Sequence, residues 1–447
     1  MREKVKFRAP IFYKFLYAYV SALHRLYYRR LTVIGYDKIP PNTSVILAVN
    51  HQNALMDALA VLFAARKPVV FMARADIFKK PFIAKILNIL KILPIYRIRD
   101  GYGELGRNQE VFEDTVGVLK SNVPICILPE GNHEGLKRLR PLKKGIFRIA
   151  FQAEESTQFK LNLHIVPIGL EYSDYFNAGS DLMVVYGTPI KIADYAEQYR
   201  ENEQRTINTL MNVLAESMRS VMIHIPEENY ELIYQISEMY EPNVWNTCNT
   251  NRQPYNKLAI RQYIVSKITE AFAKFPEKVS EIDEVLLNYK NKLNKFGLVD
   301  CFLAQKPSYL LLFIEILLSI LLLPLHLYGM ILNYLPYKIP IWLAAKIKDL
   351  HFKSSIQFGI SLFLLPVYYI ILITIFCLLF DSNFIRLIFG LTLPITGFFA
   401  LYYYKHIEKL WGKLLVFSLK ITKREQYNAL QKDRNQVIDL IKSTINS

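Results

Sequence analysis

Cysteine is scarce in this chain: Cys126, Cys248, Cys301 and Cys377 are scattered, without the paired spacing of metal ligands. A zinc site is therefore not expected, and a reducing compartment fits. Also missing are a G-x-S-x-G nucleophile elbow, a Walker-type phosphate loop, any internal repeat and any low-complexity tract. The opening "MREKVKFRAPIFYKF" lacks the short apolar core and small-residue site of a cleavable signal peptide.

Apolar residues, by contrast, make up 52% of the 447 positions, with 29 Tyr and 27 Phe. That is rich for a soluble protein, and the length implies more than one folding unit. A net charge of +16 asks for an anionic partner: nucleic acid, anionic lipid or a phosphorylated substrate.

Residues 10–30, "PIFYKFLYAYVSALHRLYYRR", have helical period and an aromatic face, and the apolar run is too short to span a bilayer. An interfacial helix is expected there, with an ordinary core-packing helix as the alternative. From 31 to about 190, apolar strands alternate with helical stretches. The strands are 44–50, 68–74, 92–98, 124–130, 163–170 and 182–187; the clearest helices are 107–120 and 145–154. This alternation predicts an α/β domain with a largely parallel sheet. Residues 191–306 read as a charged helical appendage without chemistry. Residues 307–404 hold three long apolar runs, 308–333, 357–380 and 384–404, expected as a helical membrane region, and 405–447 form a basic amphipathic tail. The lysine bias places the loop 334–356 and the tail on the cytoplasmic side, with the lysine-free link 381–383 opposite. The run 308–333 is then expected to bend near Pro324 and dip without crossing; three plain crossings are the alternative.

Gly101, Gly103 and Gly106 match G-x-G-x-x-G, but the charged turn "RIRD" separates them from the preceding strand, so a surface loop is expected. The stronger signals lie at strand ends. "NHQNALMD" places His51 just beyond a buried strand and Asp57 on the following helix, where the carboxylate can fix one imidazole tautomer and leave the other nitrogen basic. A capping network at the turn is the plain alternative, and it accounts for Asn50 or Asn53 better than for a His. "LPEGNHEGLKRLRPLKKG" puts Glu130 and Gly131 at a second strand end, followed by Lys137, Arg138, Arg140, Lys143, Lys144 and Arg148. A solvated face would account for Lys137 and Arg138. Arg97 and Arg99 close a third strand, and arginine reads phosphate by paired hydrogen bonds.

Together these stretches resemble the glycerolipid acyltransferases, the lysophosphatidate and glycerol-3-phosphate acyltransferases among them. The family's N-H-x-x-x-x-D is similar to "NHQNALMD", its second motif to "LPIYR" ending at Arg97, its F-P-E-G-T-R-S to "LPEGNHEG" and its V-P to "IVPIG" at Pro167. The resemblance covers roughly residues 30–190. Three departures stand out. Five residues rather than four separate His51 from Asp57, as in a longer-spaced branch of the family. Asn132 and His133 stand where Thr and Arg are usual, and Tyr96 where an acid often precedes the Arg.

The resemblance implies an O-acyltransferase. It would move a fatty acyl group from acyl-CoA or acyl carrier protein to a hydroxyl of glycerol 3-phosphate or its monoacyl ester. His51 would be the base and Asp57 its partner. Arg97, Glu130, Gly131, Asn132, Lys143 and Lys144 would position the acceptor phosphate, with Arg140 a further candidate. No metal or organic cofactor is implied, nor is nucleic acid a partner; membrane lipid is. A thioester donor implies a catalytic domain on the cytoplasmic face. Two alternatives stand: acylation of a non-phosphorylated lipid, and a lipid-binding membrane protein without turnover.

Overall fold

The structure, a computed structural model, describes residues 11–66, 68–74, 81, 92–95, 107–248, 254–305 and 308–446. The chain divides into two compact units, Met1–Ile223 with Trp342–Leu362, and His224–Ile341 with Phe363–Ser447.

The first unit is built on an eight-stranded sheet. In chain order the strands are β1 (Arg30–Ile34), β2 (Ser44–Val49), β3 (Val70–Arg74), β4 (Ile92–Ile95), β5 (Ile125–Ile127), β6 (Leu163–Tyr172), β7 (Asp181–Tyr186) and β8 (Ile190–Lys191). Their spatial order is β1-β7-β6-β2-β5-β3-β4, with β8 also on β6. The pairs β1–β7, β2–β5, β2–β6, β3–β4 and β3–β5 are parallel, and β6 runs antiparallel to β7 and β8. The largely parallel α/β architecture is the one expected from the alternating pattern.

The continuous apolar runs follow from burial on both faces. On β2, Ile46 and Ala48 face one core with Phe147, Phe151 and Leu210. Val45, Leu47 and Val49 face the other with Tyr28, Met56 and Phe358. Helices α3 (Arg107–Lys120), α4 (Gly145–Glu155) and α6 (Glu203–Arg219) cover the first face, and α1 (Ile11–Tyr27) and α2 (Ala54–Ala64) the second. A short helix, α5 (Ala196–Glu201), precedes α6. Gly169 on β6 has a packing reason to be glycine: a Cβ there would lie 1.9 Å from the carbonyl oxygen of Val221.

The first helix is exposed at its start and buried at its end. Ile11 and Phe15 are exposed. His24, on its last turn, is fully buried among Tyr28, Phe63 and Phe358. Burial lowers that imidazole to about 3, so it packs as a neutral ring.

The second unit is helical. Its helices are α7 (Tyr230–Cys248), α8 (Pro254–Lys274), α9 (Glu277–Lys295), α10 (Asp300–Leu303) and the C-terminal α14 (Arg424–Asn446). The last of these packs on α9 and α10 through Lys292–Asp433 and Arg434–Asp300 ion pairs. Three longer helices carry the apolar runs: α11 (Tyr309–Ala345), α12 (Lys353–Leu379) and α13 (Asn383–Thr422). Among the described residues these are the ones long and apolar enough to cross a membrane. Their exposed Leu, Ile and Phe side chains mark a membrane-associated chain. α11 continues as helix through Pro324 and also contains Pro336 and Pro340. Glu315 and Lys413 pair at 2.7 Å, and the Tyr403 hydroxyl donates to the Ser319 carbonyl.

Candidate active site

β2 ends at Val49, and Asn50 continues its pairing with side-chain atoms: the amide donates to the Leu170 carbonyl and accepts from the Leu170 N–H at 2.7 Å. This pins the chain where it leaves the sheet and sets His51 at the C-terminal edge of parallel strands, where such sheets place their sites. Asn50 is thus a ladder residue, a role its apolar surroundings in the sequence do not reveal.

His51 Nδ1 lies 2.9 Å from Asp57 Oδ2. The same oxygen accepts the backbone N–H groups of Gln52 at 2.8 Å and Asn53 at 2.7 Å. The other oxygen accepts the Tyr172 hydroxyl at 2.8 Å. The Asp57 side chain is 0% exposed and that of His51 17%. An ionised carboxylate only accepts, so the imidazole contact reads as Nδ1–H donating, which leaves the lone pair on Nε2. Capping and tautomer selection are therefore performed by one carboxylate. The longer His-Asp spacing is taken up in the turn, where Ala54 enters the helix with φ of +44°. That conformation is uncommon for a residue with a Cβ and is held here by the carboxylate bonds around it.

Glu130 is buried and spans two loops. Its Oε1 accepts the His51 N–H at 2.7 Å and its Oε2 the Arg140 N–H at 2.9 Å. Both oxygens are committed to backbone, so Glu130 braces the His51 turn rather than presenting itself to an anion. Burial outweighs those two bonds and pushes its carboxyl up to about 7. The folded state thus holds a proton that an unfolded Glu releases near 4.3. The sign follows: this contribution to stability is complete below about pH 4 and is lost as pH rises through about 7, on the order of 3 kcal/mol at most. Thermal unfolding in detergent from pH 5 to 8 is expected to show this decline. Glu130→Gln, which cannot titrate, is expected to flatten it. An unchanged slope in the variant would assign the decline to other groups.

Gly131 follows with φ of +71°, the left-handed turn that favours glycine, and the stem of Lys143 passes over it. Asn132 and Lys143 are exposed and Lys144 half-buried at the start of α4. The basic run divides on inspection. Lys137 is not on a solvated face: it is buried, and its ammonium donates to Glu171 at 2.6 Å and to the Tyr172 carbonyl. Arg138 pairs with Glu134, and the Arg140 guanidinium lies 3.8 Å from the same carboxylate. Arg97 lies outside the described residues, as do Tyr96, Arg99 and the three glycines of "GYGELG".

The structure also brings in residues that sequence reasoning missed. Tyr172 closes the Asp57 carboxylate, and the Tyr175 hydroxyl donates to Gln52 Oε1 at 3.0 Å. The His51 and His133 rings meet edge-on with centroids 5.2 Å apart. Burial, then the neighbouring His51, lowers the His133 imidazole below the ordinary histidine range. Phe352 meets His133 edge-on at 4.5 Å, and the Gly135 N–H donates to His351 Nδ1 at 3.0 Å. Tyr172 had a signal, a polar-tipped aromatic at the end of a buried strand. His351 and Phe352 had only a short polar interruption between two apolar runs.

Residues 30–171 match the family model described as Acyltransferase. By this match, residues 30–171 resemble an acyltransferase domain. Among curated proteins, a 1-acyl-sn-glycerol-3-phosphate acyltransferase of Cocos nucifera is 26% identical over 199 residues, 43% of this chain and 57% of its own length. One of the same name from Borreliella burgdorferi is 25% identical over 182 residues, 39% of this chain and 66% of its own. The alignments thus span under two thirds of each relative. Among solved structures, the 1-acyl-sn-glycerophosphate acyltransferase PlsC of Thermotoga maritima is similar at 16% identity with a TM-score of 0.32, over 46% of this chain and 79% of that one. The matched segment contains His51, Asp57, Glu130 and Gly131 and ends one residue before Tyr172.

Proposed function

We propose that this protein is a membrane-bound acyltransferase that esterifies the free hydroxyl of 1-acylglycerol 3-phosphate, or of glycerol 3-phosphate, with a fatty acyl group from acyl-CoA or acyl carrier protein. The observation that carries this reading is the His51–Asp57 contact of 2.9 Å at the sheet's C-terminal edge, within a segment matching the acyltransferase family. His51 Nε2 takes the proton of the acceptor hydroxyl as its oxygen attacks the thioester carbonyl. The tetrahedral intermediate collapses by expelling the thiolate, which takes up the proton held by the His51 imidazolium and so restores the base. Asp57 keeps the imidazole in the Nδ1–H tautomer and offsets the positive charge it gains. The thiolate is already a good leaving group, so no covalent acyl-enzyme is required.

The acceptor phosphate needs cations and N–H donors near His51. Arg97, Lys143, Lys144 and the Gly131–Asn132 turn are the groups assigned to it. Glu130 acts through its brace on the His51 N–H. Metal and organic cofactors have no part in this scheme. Because thioester donors are cytosolic, the domain is placed on the cytoplasmic face.

The test is turnover by the full chain in detergent. Acyl-CoA and acyl carrier protein are each offered as donor, and glycerol 3-phosphate, its monoacyl ester and a neutral lipid alcohol as acceptor. Transfer to a phosphorylated acceptor is expected. Transfer to the neutral alcohol alone would overturn the phosphate assignment, and no transfer with any pair would favour a lipid-binding role.

A further inference from the structure

The turns that carry the chemistry, 51–57 and 130–136, are joined by a segment 301 residues beyond Asn53 and 216 beyond Gly135. Asp349–Ser355 lies at the start of α12, in the part of the chain that folds with the first unit. Four contacts tie it down. Ser354 Oγ donates to Asn53 Oδ1. Ser355 Oγ accepts the Leu55 N–H at 3.1 Å, one of the orphan donors of the first turn of α2. His351 Nδ1 accepts the Gly135 N–H at 3.0 Å, and Phe352 covers the edge of His133. Asp349 Oδ1 turns the segment by accepting the His351 N–H at 2.9 Å. Its other oxygen is 3.6 Å from His133 Nε2, too long for a hydrogen bond.

Gly135 records how close this approach is. A Cβ on it would sit 2.6 Å from His351 Nδ1 and 3.0 Å from Cε1. His133, where the resembling family carries an arginine, has its ring between His51 and Phe352. Among the described residues, nothing in the 30–171 segment supplies the Phe352 side of that stack.

We propose that His351 and Phe352 are positioning residues of the acyl-transfer site: His351 holds the 131–136 turn by its Gly135 contact, and Phe352 fixes the His133 ring against His51. This rests on His51 being the base. The site is then incomplete without the membrane helix that presents the segment. A misplacement of about 1 Å by a distant change can cost about 100-fold in rate.

The test uses the full chain in detergent. His351→Ala is expected to lower kcat by about 10- to 100-fold with the donor KM little changed. In asparagine, Oδ1 stands near the place of Nδ1 and accepts a hydrogen bond, so His351→Asn is expected to recover activity to within about threefold of wild type. Gly135→Ala alone should match His351→Ala by pushing the imidazole away. Combined with His351→Ala it should add little, because the clash is gone; an additive double loss would overturn the contact. Wild-type turnover in His351→Ala, or Asn no better than Ala, would overturn the positioning role. Hydrogen exchange of the peptide around 131–136 reads the contact without chemistry, and faster exchange in His351→Ala but not in His351→Asn is expected. If exchange responds in that way while His51→Ala keeps its activity, the contact stands and the assignment of the base fails. Equal exchange in wild type and His351→Ala would refute the contact itself.

Discussion

Replacing His51 by alanine is expected to lower acyl transfer by about 10²- to 10⁴-fold, the usual worth of a positioned proton-transfer group. The protein should still fold, because the His51 backbone N–H that Glu130 holds is kept and the ring is not part of either core. Asp57→Asn is expected to match that loss and also to destabilise. Asparagine can accept with one oxygen only, and its amide would face the N–H groups of Gln52 and Asn53 or the hydroxyl of Tyr172. The double variant should be little worse than either single one, since the two groups act as a unit. His133→Ala is expected to be milder. Initial rates of the purified variants, beside their unfolding temperatures, decide it: an inactive His133→Ala with an active His51→Ala would move the base to His133.

The second large effect concerns sidedness. Residues 342–362 and the sheet belong to one compact unit, so both are expected on one face of the bilayer. Between Ile223 and Trp342, among the described residues, one helix is long and apolar enough to cross, Tyr309–Ala345. A single crossing would put the two parts of that unit on opposite faces. Because α11 continues as helix through Pro324 and does not turn back there, we expect it to lie along the catalytic side without crossing, and α12 with α13 to form the crossing hairpin. The lysines at 338, 346, 348 and 353 agree with a cytoplasmic face. With the native cysteines replaced, Lys348→Cys should react with an impermeant thiol reagent only from the cytoplasmic side, and Ser382→Cys only from the other. Labelling of both from one side would sink the hairpin, and labelling of Lys348→Cys from the non-cytoplasmic side would sink the placement of the domain.

Much of the sheet could be read directly because both of its faces are buried. Runs such as "SVILAV" and "LHIVPIGL" need no partner to announce themselves. β1 could not, because "RLTVI" is a short edge strand with an Arg and a Thr, and its pairing to β7 depends on residues 151 positions away. The antiparallel turn of β6 into β7 was equally silent. At the candidate site, the His51–Asp57 contact was legible because the two residues are near neighbours in sequence. Glu130 was legible as a site residue, but its bonds to backbone were not, since an N–H carries no sequence label. Lys137 read as a surface cation because its partner Glu171 sits on a different strand. His351, Phe352 and the two serines after them follow no local period; only the fold brings them to Asn53 and Gly135.

Phe358 closes the second face of the sheet beside His24 and Tyr27. Burying such a ring stabilises by about 2–3 kcal/mol. During synthesis, residues 1–223 emerge from the ribosome long before this side chain does. At roughly 5–20 residues per second, the wait is several seconds at least. Through that interval the young domain carries an open seam on its core. The seam closes only when the start of α12 arrives, so completion of this core waits on the segment that leads into the long apolar helices.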